Sequence, residues 1–341
     1  MKKITASIAL VAFLITTNAC SKSSSSTPTN TTPPVVVVPG AKLMNLPAGW
    51  KYSSLISSGF PDGIELYFFD SIYAGRKTKM FCLAYNAKNS LVEFKPVLST
   101  IAKKLSDFNK DETGKVLACV NGGYFGGNQS FSLVKYNGGS VASANIKTLS
   151  RTFNGVATTY YPTRAAFGIS STGDPSAAWI YNVGTGNDLI YQYPSPGANA
   201  EGVAPLPVPT EIFPTGGIIW NIQSAIGGSP MLLRNNAVNI TDVQELISIN
   251  NTTSRPRTAI GYTDNNLIIL LVVEGDNPTA GYDGMNLAEL AAAMKTLNCS
   301  NAINLDGGGS SSMVAGGQLL NRPGDNGLER PVVSAVLIKQ R

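Results

Sequence analysis

The sequence predicts an α+β domain: mixed β-sheets with hairpins and few helices, containing two pseudo-symmetric related units. Three observations carry this. Short apolar runs rich in β-branched residues recur along the chain, bounded by Gly, Asn and Pro. Helical spacing is confined to two stretches. A pair of motifs, one with arginine and one with Gly-Gly-Ser, occurs twice in the same order. The chain has 341 residues, of which 43% are hydrophobic and 14% charged, enough for a sizeable core.

Residues 1–20 read as a secretion signal. Lys2 and Lys3 form a charged start, and Ile8 to Ile15 is an apolar run too short to span a bilayer. The segment ends Thr17-Asn18-Ala19-Cys20, which resembles a bacterial lipobox with Cys20 as the lipidated residue, although Thr17 stands where Leu is usual. The expected location is the bacterial cell envelope, with the protein lipid-anchored to the membrane. Residues 21–41 are Ser/Thr/Pro-rich and read as a disordered linker, with Val35 to Val38 as its extended end or a first edge strand.

The folded domain is expected over 42–341. Ile64 to Tyr67 and Lys79 to Tyr85 read as strands, Val97 to Phe108 as a short helix, and Val116 to Val120 as a buried strand. Residues 185–215 are rich in Pro, Gly and Asn and read as a long loop. Leu267 to Val273 is a central strand. Leu287, Leu290, Ala291, Met294 and Leu297 fall at helical spacing, and Asn286 with Glu289 fits a capping box. Ala302 to Leu305 follows as a strand, so the succession suggests a right-handed crossover. Ser312 to Leu320 reads as a hairpin about Gly316-Gly317, and Val332 to Ile338 is the last strand.

Arg164 to Ser170 echoes Arg257 to Thr263, and Gly227-Gly228-Ser229-Pro230-Met231 echoes Gly308 to Met313. A hairpin turn follows each of the second pair, at Asn235-Asn236 and Gly316-Gly317. The reading is two related units about a pseudo-two-fold axis, whose glycine-rich strand ends and arginines converge on one cleft.

The chain holds no histidine. That excludes Ser-His-Asp and Cys-His catalysis and His-ligated zinc, leaving acid–base work to Asp, Glu, Tyr or Lys. The net charge of +5 comes without a basic stripe, which argues against a nucleic-acid partner. The glycine-rich stretches are neither dinucleotide nor P-loop fingerprints. No cofactor is expected. Asp276, Asn277 and Asp283 lack EF-hand spacing and leave a structural cation as a minor alternative. Cys82 and Cys119 lie in neighbouring apolar runs, so a disulfide and buried free thiols both remain open.

Asn304-Leu305-Asp306-Gly307-Gly308-Gly309-Ser310-Ser311-Ser312 sets a lone carboxylate at a strand end, before glycines that allow close backbone approach and three hydroxyls. Asn121-Gly122-Gly123-Tyr124-Phe125 is a second polar, glycine-rich strand end. With Gly227-Gly228-Ser229-Pro230-Met231, Ser254 to Gly261, Gly284 to Ala291 and Asn321-Arg322-Pro323, these motifs resemble the phosphodiester glycosidase family. The resemblance covers roughly residues 60–340. It implies one α+β domain and hydrolysis of a sugar–phosphate glycosidic bond. It also implies that Asn121, Arg257, Thr258, Asp306 and the Gly308, Ser310, Ser311 loop line the site. One departure is plain: Glu274-Gly275-Asp276 stands where the family often has Asp-Gly-Arg.

On this reading Asp306 is the nucleophile or base, and Glu274 and Glu65 compete for the second carboxylate role. Arg257, with Arg255 or Arg164, holds the phosphate. Asn121 and the amides of Gly122, Gly123, Gly307, Gly308 and Gly309 bind sugar hydroxyls or phosphate oxygens, with Gly228 and Ser229 at the second glycine-rich end. Tyr124 stacks on a sugar ring. The expected partner is a carbohydrate or sugar-phosphate substrate. The alternatives are a non-catalytic glycan- or phosphoglycan-binding lipoprotein, and a glycosidase or transferase acting on unphosphorylated polysaccharide.

Overall fold

The computed structural model describes residues 43–341 and the backbone of Val35–Val36. The signal segment, Cys20 and nearly all of the linker lie outside the described residues. Val35–Val36 forms a two-residue strand that pairs with Leu46–Pro47.

Three antiparallel sheets of eight, six and five strands enclose the main core. Leu83 and Ile303 of the largest sheet, Phe167 and Trp179 of the six-stranded sheet, and Val120 and Ile338 of the five-stranded sheet belong to one buried cluster. Alternation along the strands produces this layer, since every second residue faces inward. The opposite face of the largest sheet is covered by the helix Leu287–Thr296, which buries Leu287, Leu290, Ala291 and Met294. Its start is fixed by the predicted capping box: Glu289 N–H donates to Asn286 Oδ1 at 2.9 Å, and Asn286 N–H donates to Glu289 Oε2 at 2.9 Å. A shorter helix, Leu105–Asp111, covers the five-stranded sheet with Leu105 and Phe108.

Two expectations change, and the crossover is kept with one strand between its two parallel strands. Residues Val92–Lys103 are a strand, paired with Val332–Gln340, and the helix begins only at Leu105. Val92, Val97, Thr100 and Ile101 favour extended backbone, and Pro96 is tolerated because the strand lies at a sheet edge. The 185–215 stretch contains a strand, Ile190–Tyr193, added to the six-stranded sheet, where Tyr181, Tyr191 and Tyr193 cluster. Leu267–Val273 and Cys299–Asn304 are parallel to each other but not adjacent, because Arg257–Thr263 pairs with both from between them.

The arginine half of the internal echo holds in the pairing register, where Arg164 and Arg257 are equivalent; the register matches Gly227 with Asn304 rather than with Gly308, and there is a third member. Ala166 pairs with Gly227, Ala259 with Asn304 and Ala335 with Asn121. One residue on, Gly228, Leu305 and Gly122 N–H groups donate to the carbonyls of Ala165, Thr258 and Ser334 at 3.0, 2.9 and 2.8 Å. Each of these strands then leaves its sheet for the next. Val116–Asn121 crosses from the five- to the six-stranded sheet, Ser224–Gly227 from the six- to the eight-stranded, and Cys299–Asn304 from the eight- to the five-stranded. The relation is therefore cyclic among three sheets rather than two-fold. The third unit escapes a motif search because Val333 and Ser334 stand where the other two carry Arg164-Ala165 and Arg257-Thr258.

Candidate active site

The three crossovers meet at one end of the sheets, and close backbone contact requires their glycines. A Cβ on Gly228 would stand 2.1 Å from the Asn304 carbonyl oxygen, and one on Gly123 would stand 2.4 Å from that of Gly227. Ser229 N–H donates to Asn304 O at 2.8 Å and Asp306 N–H to Gly122 O at 3.1 Å. Buried amide side chains lock this junction. Asn121 Nδ2 donates to Asp306 O at 2.8 Å, while its Oδ1 accepts from Thr258 Oγ1 at 2.8 Å and Ser312 N at 3.2 Å. Asn304 Nδ2 donates to Tyr124 Oη at 2.7 Å and to Ser229 O at 2.9 Å. The Tyr124 hydroxyl in turn donates to Ser229 O.

Asp306 emerges from this junction into a cavity of about 420 Å³ that is also lined by Tyr124, Arg255, Arg257, Asp325 and Arg330. Its backbone is held on both sides and its Oδ1 accepts from Gly307 N–H at 2.9 Å. Burial pushes its pKa up to about 6, against the opposing effects of the Ser310 hydroxyl, the Gly307 amide and the Arg330 charge. The Ser310 hydroxyl acts from beside the carboxylate without a hydrogen bond of ordinary geometry. A carboxyl poised in this way suits a base working near neutral pH.

Two ion pairs flank the cavity. Arg330 grips Asp325 with two bonds of 2.7 Å, and Gly309 is needed beneath them because a Cβ there would meet Asp325 Oδ1 at 2.1 Å. Arg255 Nη1 reaches Asp276 Oδ1 at 3.4 Å. Both arginines are exposed, and the pair with Asp325 leaves donors of the Arg330 fork for an anionic ligand.

A phosphodiester glycosidase family model matches residues 114–339, well over half of the chain, and its span contains the whole junction and cavity. The chain belongs to the phosphodiester glycosidase family. The N-acetylglucosamine-1-phosphodiester alpha-N-acetylglucosaminidase of Bos taurus is 34% identical over 112 residues, which are 32% of this chain and 20% of the bovine protein. That of Homo sapiens is 32% identical over 112 residues, 32% of this chain and 21% of the human protein. The matched region thus spans about a fifth of these relatives. Among solved structures, the zebrafish catalytic domain of that name, auto-inhibited by its pro-peptide, aligns with a TM-score of 0.54 at 19% identity, covering 86% of this chain and 89% of the other. A hypothetical protein from Synechocystis gives 0.56 at 18%, covering 86% and 64%. At these identities the likeness is one of fold.

Within this phosphodiester glycosidase domain the sequence candidates separate into two groups. Asp306, Gly307, Gly308, Tyr124 and Arg257 line the cavity. The rest serve the frame. Asn121, Thr258 and Ser229 are buried and engaged in the hydrogen bonds of the junction, and Gly123 and Gly228 are packed against neighbouring carbonyls. Ser310 and Ser311 are buried under the loop. Arg257 is the main correction among the cations. Its guanidinium donates to Met285 O, Ile249 O, Asn250 O and Thr253 O at 2.9, 3.1, 2.7 and 3.2 Å, so it braces the cavity wall rather than presenting a free fork. Arg164 is buried in the six-stranded sheet, where Nη2 donates to Leu246 O at 3.3 Å.

Neither proposed second carboxylate reaches the cavity. Glu274 is buried against Lys79 at 3.5 Å and accepts from Arg322 N at 3.1 Å. Glu65 is buried on its strand and accepts from Leu43 N at 3.1 Å and from the Tyr67 hydroxyl. Besides Asp306, the carboxylates that line the cavity are Asp276 and Asp325. The sequence marks Asp276 only as a candidate cation ligand, and in the structure it pairs with Arg255. Asp325 and Arg330 lie in a polar segment with no motif, and only the register of the chain over Gly309 brings them in. Among the described residues no group of three or more His, Cys, Asp or Glu side chains is arranged to hold a metal ion.

Proposed function

We propose that this protein hydrolyses the glycosidic bond between a sugar anomeric carbon and a phosphodiester oxygen in a glycan or phosphoglycan. The observation that carries this reading is Asp306, pinned by its backbone in a cavity that also holds the exposed Arg255 and Arg330. The arginines bind the phosphate through charge-assisted hydrogen bonds, which a planar fork makes well. Asp306 attacks the anomeric carbon or activates the water that does so. The C–O bond breaks and its electron pair leaves with the phosphate. A phosphate monoanion or dianion is a weak base, so charge stabilisation by the arginines replaces the acid that other glycosidases need. The names of the relatives support this chemistry, which is compatible with a chain that holds no histidine.

The Arg missing from the Glu274-Gly275-Asp276 motif is then replaced through space. Arg255, two residues before the strand Arg257–Thr263, pairs with Asp276, restoring a cation at that side of the cavity.

The test is hydrolysis of a panel of sugar-1-phosphodiesters, beginning with methyl N-acetylglucosamine-1-phosphate, by wild type and by Asp306→Asn. Turnover by wild type with at least a thousandfold loss in the variant is expected. Binding without turnover by wild type would favour the non-catalytic alternative. The anomeric configuration of the first product, read by proton NMR, separates direct attack by water from a covalent intermediate.

We also propose that Cys20 carries the lipid that tethers the protein to the bacterial envelope. Metabolic labelling with an alkyne fatty acid should mark the wild-type protein and not Cys20→Ala.

A further inference from the structure

The loop between Asn121 and Leu133 has two faces. Tyr124 lines the Asp306 cavity, and its carbonyl accepts from Phe131 N–H at 2.8 Å. Phe131 faces a different depression, a groove of about 560 Å³ between this loop, the Leu98–Thr100 part of the edge strand and residues 142–147. The residue is 37% exposed, enough for its ring to serve as a platform. Around it stand the exposed amides of Asn128, Gln129 and Asn187, together with serine and threonine hydroxyls.

We propose that this groove is a binding site for a neutral saccharide chain, separate from the Asp306 cavity. An aromatic face packs against the C–H face of a sugar ring, and amides and hydroxyls match ring hydroxyls as donors and acceptors. The volume suits a few sugar units. Charge selects against an anionic chain. Lys147 is the one charged side chain in the lining, and its ammonium is already held by the carbonyls of Gly184 and Gly186 at 3.0 and 2.7 Å. The neighbouring strand edge is closed to an extended peptide. Ala102 N–H is taken by Asn128 Oδ1 at 2.9 Å, and Ile101 N–H by the Ser99 hydroxyl at 3.4 Å. Asn145 adds a buried donor. The residue lines the groove and is 5% exposed, its Oδ1 accepts from Leu133 N–H at 2.7 Å, and its Nδ2 is buried without a partner.

This assignment does not rest on the catalytic reading, and its test is independent of turnover. Native affinity electrophoresis is run in gels containing α-glucan, mixed-linkage β-glucan, mannan, galactomannan or xylan, with polygalacturonate and hyaluronate as anionic controls. At least one neutral polymer should retard the wild-type protein. Phe131→Ala should weaken that retardation at least tenfold, Phe131→Tyr should retain it, and both should keep any hydrolysis of a small phosphodiester. Gln129→Ala, on an exposed side chain, should weaken it at least threefold at an unchanged melting temperature, and it decides the matter if Phe131→Ala fails to fold. No retardation by any neutral polymer, retardation by the anionic ones alone, or retardation indifferent to both substitutions would overturn the proposal.

Discussion

Asp306 combines a fixed backbone with a side chain held out of its ordinary state. Because folding raises its pKa from 3.8 to about 6, ionisation opposes folding. The penalty is absent below the unfolded pKa, grows as pH rises between the two values and is complete above about 6. Asp306→Asn should therefore stabilise the protein by about 1–3 kcal/mol at pH 7.5, measured by urea denaturation, while abolishing turnover. The same shift fixes the sign of the activity profile. As base or nucleophile, Asp306 must be ionised, so kcat/KM should fall on acidification through about pH 6. A profile that rises on acidification through that range would remove Asp306 from this role. Arg330→Ala should raise KM roughly tenfold or more, since a charged hydrogen bond to phosphate is worth about 1.5–3 kcal/mol. Cys82, Cys119 and Cys299 are free and buried, and burial pushes each thiol's pKa up. They should resist a thiol reagent until the protein is denatured.

At the scale of the element, the crossovers are where strands stop being interchangeable. Gly228 passes so close to Asn304 that a single methyl cannot be accommodated without moving backbone. Gly228→Ala should cost at least about 3 kcal/mol by chemical denaturation, and Gly123→Ala a similar amount. By contrast Gly308, whose Cβ direction is open, is constrained only by its φ of +59° and should lose about 1 kcal/mol on change to Ala. The strands read from Ile64, Lys79, Val116, Leu267, Ala302 and Val332 and the helix Leu287–Thr296 were legible in the sequence, whereas the strands of the six-stranded sheet were not. The period, caps and turns of the legible elements are local properties, as with Asn235-Asn236, both at positive φ in a two-residue hairpin. The segment around Pro96 was not legible, because extended pairing with Val332–Gln340 overrode a local pattern that admits a helix.

For the whole molecule, the cyclic exchange of strands makes each sheet depend on another. Val116–Asn121 pairs with Met313–Ala315 and Val332–Gln340, from the far end of the chain. The five-stranded sheet cannot close until most of the sequence is in place. Such non-local pairing folds slowly, so stopped-flow refolding should show a dominant phase of about a second or longer.

The sequence by itself determined the sheet-rich class, the family likeness, the exclusion of histidine chemistry and the place of Asp306 at a strand end. Those follow from residue types and local spacing. Only the tertiary structure decided which polar residues share the cavity. Arg257, Asn121 and Thr258 bear the motif yet work mainly in the frame, because a crossover junction buries many backbone groups that must be paired. Asp325 and Arg330 bear no motif yet flank Asp306. Their position is set by a fold of the chain across Gly309, a contact that no periodicity records.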